Sequence, residues 1–468
     1  MNDVLKSHEE TFRDSIATVT KEGKRKWIYP RKPSGKFYNA RTIVSYFLLA
    51  FLFVVPFIKI DGHPFVILNI IERKFIIFGI PFGPHDLHLF ALTMIAIIVS
   101  IFLFTVVYGR LFCGWICPQT IFLEMVFRKI EYWIEGDANK QRALKKAPWS
   151  GEKLIKKGSK QLIFFFLSFI ISNIFLSYII GIDTLKQYIS HSPFEHFATF
   201  IAVLFFSGAF YFVFASFREQ ACVLVCPYGR LQGVMLDQNS IVIHYDYKRG
   251  EPRGKIKKGE VQNYGDCIDC NLCVDVCPTG IDIRNGTQLE CVNCTACIDA
   301  CNTVMEKVNR PKGLIRYASK NEIETSKRSI FTPRAVGYTI VLILLTTVIT
   351  YMLLNRSKVE LSILRTPGTL YQEQPGDKIS NIYDLKIINK SFDVLPASLT
   401  LQNPEGEIKI IGNDLKVEPQ GVTEAKFLVI LPKEKIKQLK TPLKIAVVSN
   451  GIILDVINTA FLAKVKIK

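Results

Sequence analysis

Five stretches of this chain are too long and too apolar to sit in water: residues 42–58, 89–108, 162–181, 197–217 and 338–354. A bilayer core takes about 20 such residues as a helix, because inside it every backbone polar group must find its partner within the segment. Each stretch is therefore predicted to be a transmembrane helix. The segment 65–82 is also apolar, but Glu72, Arg73 and Lys74 interrupt it and Pro81 and Pro84 close it. It is too short and too charged to span and is expected on or near the outer membrane surface.

Charge sets the orientation. The chain has 59 Lys and Arg against 41 Asp and Glu, a net charge of +18. The excess lies beside the apolar stretches instead of on one soluble domain, which argues for membrane topology and against nucleic-acid binding. Eleven Lys and Arg run from Arg110 to Lys160, whereas Lys186 stands alone between the third and fourth stretches. Cytoplasmic loops retain Lys and Arg, so the N-terminus is expected inside and the C-terminus outside. The first forty residues, up to Arg41, are polar and basic and hold no apolar core, so no cleavable secretory signal is expected.

The expected division of the chain follows. A basic arm (1–41) precedes four spans (42–217), whose loop 109–161 faces the cytoplasm. A cytoplasmic insert (218–334), a fifth span (335–355) and an outer domain (356–468) complete it. In that last part, β-forming runs alternate with Gly, Pro and Asn turns, and about seven short strands suggest an Ig-like sandwich.

All twelve cysteines fall between Cys113 and Cys301. Such packing suits metal ligation in a reducing compartment better than a disulfide framework. Cys267, Cys270, Cys273 and Cys277 form a C-x₂-C-x₂-C-x₃-C-P run, and Cys291, Cys294, Cys297 and Cys301 repeat the spacing. This is the bacterial pattern for two 4Fe–4S clusters, in which three close thiolates wrap one cluster and the fourth reaches the other. Cluster I is thus expected on Cys267, Cys270, Cys273 and Cys301, and cluster II on Cys291, Cys294, Cys297 and Cys277. The second run ends in Asn302 where the first has Pro278, which changes a turn and no ligand. Zinc is the competing occupant, but it has no use for two adjacent centres, whereas electrons hop between clusters.

Four cysteines remain. Cys113 and Cys117 follow the second span, Cys222 and Cys226 follow the fourth, and each pair is a C-x₃-C-P motif. The spacing predicts each pair on one helical face, both at the same membrane surface. Converging thiols there could bind a soft ion, above all Cu(I), or act as a redox dithiol activated by Arg110 and Arg218. They could also simply pack helix ends. His85 and His88, with His63, His191 and His196 on the outer side, are weaker candidates for copper or haem. There is no C-x-x-C-H haem motif and no G-x-G-x-x-G dinucleotide fingerprint.

Several stretches resemble the cytochrome c oxidase accessory proteins of the CcoG, FixG or RdxA family. They are Tyr29-Pro30-Arg31, the run from Val107 through Cys113-Gly114-Trp115-Ile116-Cys117-Pro118 to Thr120, Ile130 through Glu131-Tyr132-Trp133 to Asp137, Arg218-Glu219-Gln220-Ala221-Cys222, the two cluster runs and the Ig-like tail. The resemblance implies a protein of the bacterial inner membrane that helps build cbb₃-type haem–copper oxidase by reducing Cu(II) to Cu(I). It implies that Cys113, Cys117, Cys222 and Cys226 handle copper as substrate, and that the oxidase or its copper chaperones are partners.

The fold expected is an α-helical bundle of five transmembrane helices, with a bacterial-type 2×4Fe–4S ferredoxin insert and an all-β Ig-like domain. The residues alone stop at electron transfer from an unnamed cytoplasmic donor to an acceptor near the membrane, and they allow a homodimer. Two other readings stay open at this point. One is a quinol-linked electron-transfer subunit of the membrane ferredoxin type, and the other is a non-catalytic assembly scaffold or copper chaperone.

Overall fold

The structure, a computed structural model, describes residues 17–464 except 21, 71–73, 256–263, 328–330, 358, 369, 413–414, 437 and 450. Among the described residues five helices are long and apolar enough to cross a membrane: Lys36–Phe57, Pro84–Tyr108, Gly151–Ile180, Phe197–Phe217 and Pro333–Leu354. The third begins eleven residues before its apolar stretch because Ser150 starts it, its hydroxyl accepting the Lys153 amide at 3.3 Å. Hydropathy sees the membrane-embedded part of a helix, whereas capping decides where it starts.

The chain forms two compact units. The first joins the described residues up to Ile58 with Ala91–Thr347. Its helical part is held by Phe122, Phe127, Phe164 and Phe214, with Phe127 stacked on Phe214 at 4.8 Å between centroids and edge-on to Phe164. Five planar rings, counting Phe210, interlock here, and the abundance of Phe in the sequence finds its use in this layer.

The insert belongs to the same unit. Two short antiparallel strands, Val242–Tyr245 and Ile315–Ala318, open and close it. Between them lie the helices Leu272–Asp275 and Ala296–Lys307, each carrying the third cysteine of its run.

The second unit combines Lys59–Phe90 with Val348–Lys468. Its main body is a two-sheet sandwich. One sheet has the order Glu407–Ile411, Val422–Pro432, Lys378–Asn389 and Val359–Arg365, with Gln372–Gln374 paired beside Lys378–Asn389. The other has the order Ser398–Asn403, Lys440–Ser449 and Ile452–Leu462. Alternate residues Phe427, Val429 and Leu431 point into the core, where Phe427 stacks on its cross-strand partner Tyr383. The Tyr383 hydroxyl then donates to the Ala460 carbonyl at 2.9 Å, tying the two sheets together.

The segment expected at the outer surface is a three-stranded meander in this unit, Val66–Asn69, Lys74–Ile77 and Ile80–Phe82. Glu72 and Arg73, which break its apolar run, lie outside the described residues.

Candidate functional site

Each cysteine run folds into a loop with the same backbone signature. Asp269 and Asn271 flank Cys270 with φ of +51° and +54°, and Asn293 and Thr295 flank Cys294 with +51° and +65°. Asn and Asp tolerate this left-handed region. Thr295, being β-branched, does not, and it is steadied by donating from its hydroxyl to the Cys294 carbonyl at 2.6 Å. The reversals curl each loop around a cavity.

One cavity is lined by Cys267, Cys270, Cys273 and Cys301 with Tyr245, Leu272, Met305 and Ile315. The other is lined by Cys277, Cys291, Cys294 and Cys297, and also by Cys273. Among the described residues no three His, Cys, Asp or Glu side chains converge closely enough to hold a single ion. Thiols standing around a space fit a multi-iron cluster and do not fit a zinc ion gripped at about 2.3 Å. Burial pushes the Cys273, Cys291 and Cys301 thiols up to about 12, so thiolate there needs the compensating charge of bound metal. Cys270 is the exposed member, whereas Cys294 and Cys297 are buried.

The four remaining cysteines lie within electrostatic range of one another, without converging on a single ion-sized site among the described residues, and not by the geometry the spacing predicted. The helix carrying Cys113 stops at Trp115, and Cys117 (φ −56°, ψ +123°) is extended and starts the next helix at Pro118. Cys226 (φ −66°, ψ +109°) does the same before Pro227. Proline excludes the α conformation from the residue before it, so the C-x₃-C pairs cannot share one continuous helical face. Instead each motif closes with a six-residue turn: the Cys117 amide donates to the Phe112 carbonyl and the Cys226 amide to the Ala221 carbonyl, both at 2.9 Å. The duplication visible in sequence is thus a duplication of backbone shape. Electrostatically Cys222 senses Cys117, Cys113 and Cys226, and burial pushes both Cys113 and Cys222 up to about 12.

This thiol group adjoins one cluster cavity. Cys113 packs with Val292, Cys294 and Ala296 in a single apolar cluster. A Cβ built on Gly114 would lie 2.5 Å from the Asn293 carbonyl oxygen, so only glycine admits the loop this close. The Cys113 thiol donates to Gln232 Oε1 at 3.2 Å, and Gln232, fully buried, leaves its Nε2 without a hydrogen-bond partner. Arg110 donates to the carbonyls of Leu289 and Gly229.

Arg218, expected beside the second thiol pair, is instead turned to Glu131, donating from Nη1 and Nη2 at 2.6 and 2.9 Å. It joins a buried network with Glu219, Arg128, Lys160 and Glu135 that single-residue reading does not reveal. Its only trace in sequence is the charged residues on either side of the apolar stretches.

Among the described residues the histidines expected on the outer side form no metal centre. His63 stacks on Phe392 at 3.9 Å, His88 is exposed, and the His191 and His196 rings stand 6.4 Å apart at the surface. The residue between His85 and His88 carries the interaction instead: Asp86 pairs with Arg356 and Lys390 at 2.8 and 2.9 Å.

Comparison with known proteins agrees with these features. A 4Fe–4S dicluster domain model matches residues 217–320, a 4Fe–4S binding domain model matches 90–140, and the model for the IG-like fold at the C-terminal of FixG matches 349–464. Protein RdxB of Cereibacter sphaeroides is 33% identical over 388 residues, covering 78% of this chain and 80% of its own. Nitrogen fixation protein FixG of Rhizobium meliloti is 31% identical over 469 residues, covering 89% and 88%. Protein RdxA of Cereibacter sphaeroides is 34% identical over 379 residues, covering 78% and 80%. A solved FixG-related protein from Vibrio parahaemolyticus aligns to 24% of this chain at 20% identity with a TM-score of 0.20. With paired cluster loops, five apolar helices and an Ig-like tail, the chain is an iron–sulfur membrane protein that belongs to the FixG/RdxA family.

Proposed function

We propose that this protein reduces Cu(II) to Cu(I) at the membrane edge, and that the Cu(I) serves assembly of a cbb₃-type oxidase directly or through copper chaperones. The observation that carries the reading is the packing of Cys113 against Cys294 and Val292. Four thiols are left over from the cluster loops, and one of them, Cys113, packs against residues of one of those loops.

In this reading Cys267, Cys270, Cys273 and Cys301 hold one cluster, and Cys277, Cys291, Cys294 and Cys297 hold the other. When bound, the clusters supply electrons one at a time. Cys113, Cys117, Cys222 and Cys226 hold the copper. Thiolates favour Cu(I) over Cu(II), so the ligands themselves increase the driving force for the reduction. Cu(II) takes up one electron, and the bound thiols release their protons. Gly114 and the Arg110 hydrogen bonds keep the thiol group against the loop that carries Cys291 and Cys294.

The membrane is the bacterial inner membrane, with the N-terminus and insert in the cytoplasm and the Ig-like domain in the periplasm. The basic residues from Arg110 to Lys160 support this orientation.

Anaerobically reduced protein given excess Cu(II) and a Cu(I)-specific chromophoric chelator should turn over repeatedly. The Cys113→Ser/Cys117→Ser and Cys222→Ser/Cys226→Ser variants should lose that turnover while keeping both cluster EPR signals. A quadruple Ser variant that reduces copper at the wild-type rate with intact clusters would place the acceptor site elsewhere. Stoichiometric copper binding without turnover would make the protein a chaperone, and cluster reduction by quinol would favour a quinol-linked subunit.

A further inference from the structure

The two cysteine cavities differ in the charge around them. Near the cavity lined by Cys267, Cys270, Cys273 and Cys301, the cations are neutralised. Arg284, whose charge acts on Cys273, is paired with Asp282 and Asp269, both at 2.6 Å. Arg249, whose charge acts on Cys301, is paired with Asp266 at 2.5 Å.

Beside the other cavity stand two arginines from the ends of membrane helices, Arg41 and Arg110, only 3% and 6% exposed. Among the described residues neither forms an ion pair. Their donors go to backbone carbonyls: Arg41 Nε to Gly114 at 2.6 Å, and Arg110 to Leu289 and Gly229. Arg41 acts electrostatically on Cys294, and Arg110 acts on Cys291, Cys113 and Cys226.

Two carboxylates oppose them. Glu290 faces Arg110, and Glu124, which acts on Cys294, is itself paired with Arg128 at 2.5 Å. Among the described residues neither carboxylate is within ion-pair distance of Arg41 or Arg110, so both cations act on the cavity without a direct counter-charge, in surroundings where Coulomb interactions are several-fold stronger than in water.

Reduction adds one negative charge to a cluster, so nearby uncompensated cations raise its potential, along with hydrogen bonding and exclusion of solvent. We propose that Arg41 and Arg110 make the site of Cys277, Cys291, Cys294 and Cys297 the higher-potential of the two. Electrons then collect next to the membrane-edge thiols instead of at the exposed Cys270 end. Each arginine is a positioning residue as well: Arg41 ties the first helix to Gly114 of a thiol motif, and Arg110 ties the Leu289 carbonyl before the cluster loop to Gly229 after the second thiol motif. The inference rests on the ligand assignment above and is independent of copper.

The test is an EPR-monitored redox titration of the full-length protein in detergent, without copper. Two separable one-electron steps are expected, and Cys277→Ala should remove the higher one. Arg110→Gln and Arg41→Gln should each lower that step alone, by tenfold or more in the reduced-to-oxidised ratio at fixed poise, about 59 mV for a one-electron couple. Arg110→Lys, which keeps the charge, should move it less than Arg110→Gln. Coincident steps, loss of the lower step in Cys277→Ala, or an equal shift of both clusters in Arg110→Gln would overturn the proposal. Should the Gln variants fail to retain iron, Glu290→Gln decides: removing the opposing carboxylate must raise the higher step, and an unmoved step refutes the assignment. Potentials as expected in a protein that fails to reduce Cu(II) would sink the copper reading alone.

Discussion

Glu131 shows how much one side chain can carry at the edge of a membrane. It is buried in the helix Arg128–Ile134, accepts both terminal nitrogens of Arg218, and has the Lys160 ammonium at 3.5 Å. Burial alone would raise its pKa, but Arg218, Lys160 and Arg128 outweigh burial and hold it at about 2, below the ordinary 4.5. A depressed folded-state pKa means stability that is fully present above the unfolded value and lost as the pH falls through the folded one. The first unit should therefore lose stability between about pH 4.5 and pH 2. Glu131→Gln should mimic that loss at neutral pH, at a cost of up to about 3–5 kcal/mol, because buried Arg218 would keep only its 3.6 Å contact with Glu219 and Lys160 only its pair with Glu135. Thermal unfolding in detergent, followed against pH, checks both. A variant as stable as wild type at pH 7 would show that the network contributes little net stability.

At the scale of elements, the first spanning helix illustrates what sequence conceals. Its start follows Gly35, which has no side chain to cap the helix. The cap comes from the insert instead: Asp299 Oδ1 and Oδ2 accept the Phe37 and Tyr38 amides at 3.2 and 2.8 Å. A carboxylate at a helix N-terminus satisfies free N–H groups and meets the positive end of the helix dipole. Because Asp299 lies between Cys297 and Cys301 on one helix, this cap also fastens a cluster-bearing element to the membrane bundle. Asp299→Ala should cost about 0.5–2 kcal/mol and accelerate hydrogen exchange at Phe37 and Tyr38. Gly35→Ala should do the same, since its Cβ would come 2.3 Å from Asp299 Cγ. Unchanged exchange at both amides in both variants would discard the capping account.

The five spans and the two cysteine runs were legible because length, hydropathy and spacing are local properties. The Asp299 cap, the Glu131–Arg218 pair and the Asp86 ion pairs were not, since their partners are far apart in the chain and look like ordinary surface charges one at a time. The C-x₃-C motifs were half legible. Their duplication is a repeated backbone turn, but the helical reading of i and i+4 overlooked the restriction that Pro118 and Pro227 place on the preceding cysteines.

For the whole molecule, the second unit makes a test of topology possible. Asp86, only 2% exposed, sits at the start of the second span and pairs with Arg356, just beyond the fifth span, and with Lys390 in the sandwich. Lys390 also reaches Glu360 at 2.9 Å, and His63 stacks on Phe392. Segments so joined must lie on the same face of the membrane. Four spans separate them in the chain, an even number, so five true crossings satisfy the contact, whereas loss of any one of the last four would break it. With all three spans after residue 83 crossing, the insert is predicted on the opposite face, the orientation favoured by the basic loop from Arg110 to Lys160. A reporter active only after translocation should work when fused after Ala463 and fail when fused after Lys312, and a reporter active only in the cytoplasm should give the reverse. Asp86→Asn supplies the structural half of the test. It leaves Arg356 and Lys390 without their shared buried carboxylate, so the second unit should lose about 3–5 kcal/mol and yield faster to limited proteolysis from the translocated side, with cluster EPR unchanged. Reporter activity after Ala463 confined to the cytoplasm would refute the five-span topology, and wild-type protease resistance in Asp86→Asn would show that the ion pairs do not hold the meander to the sandwich.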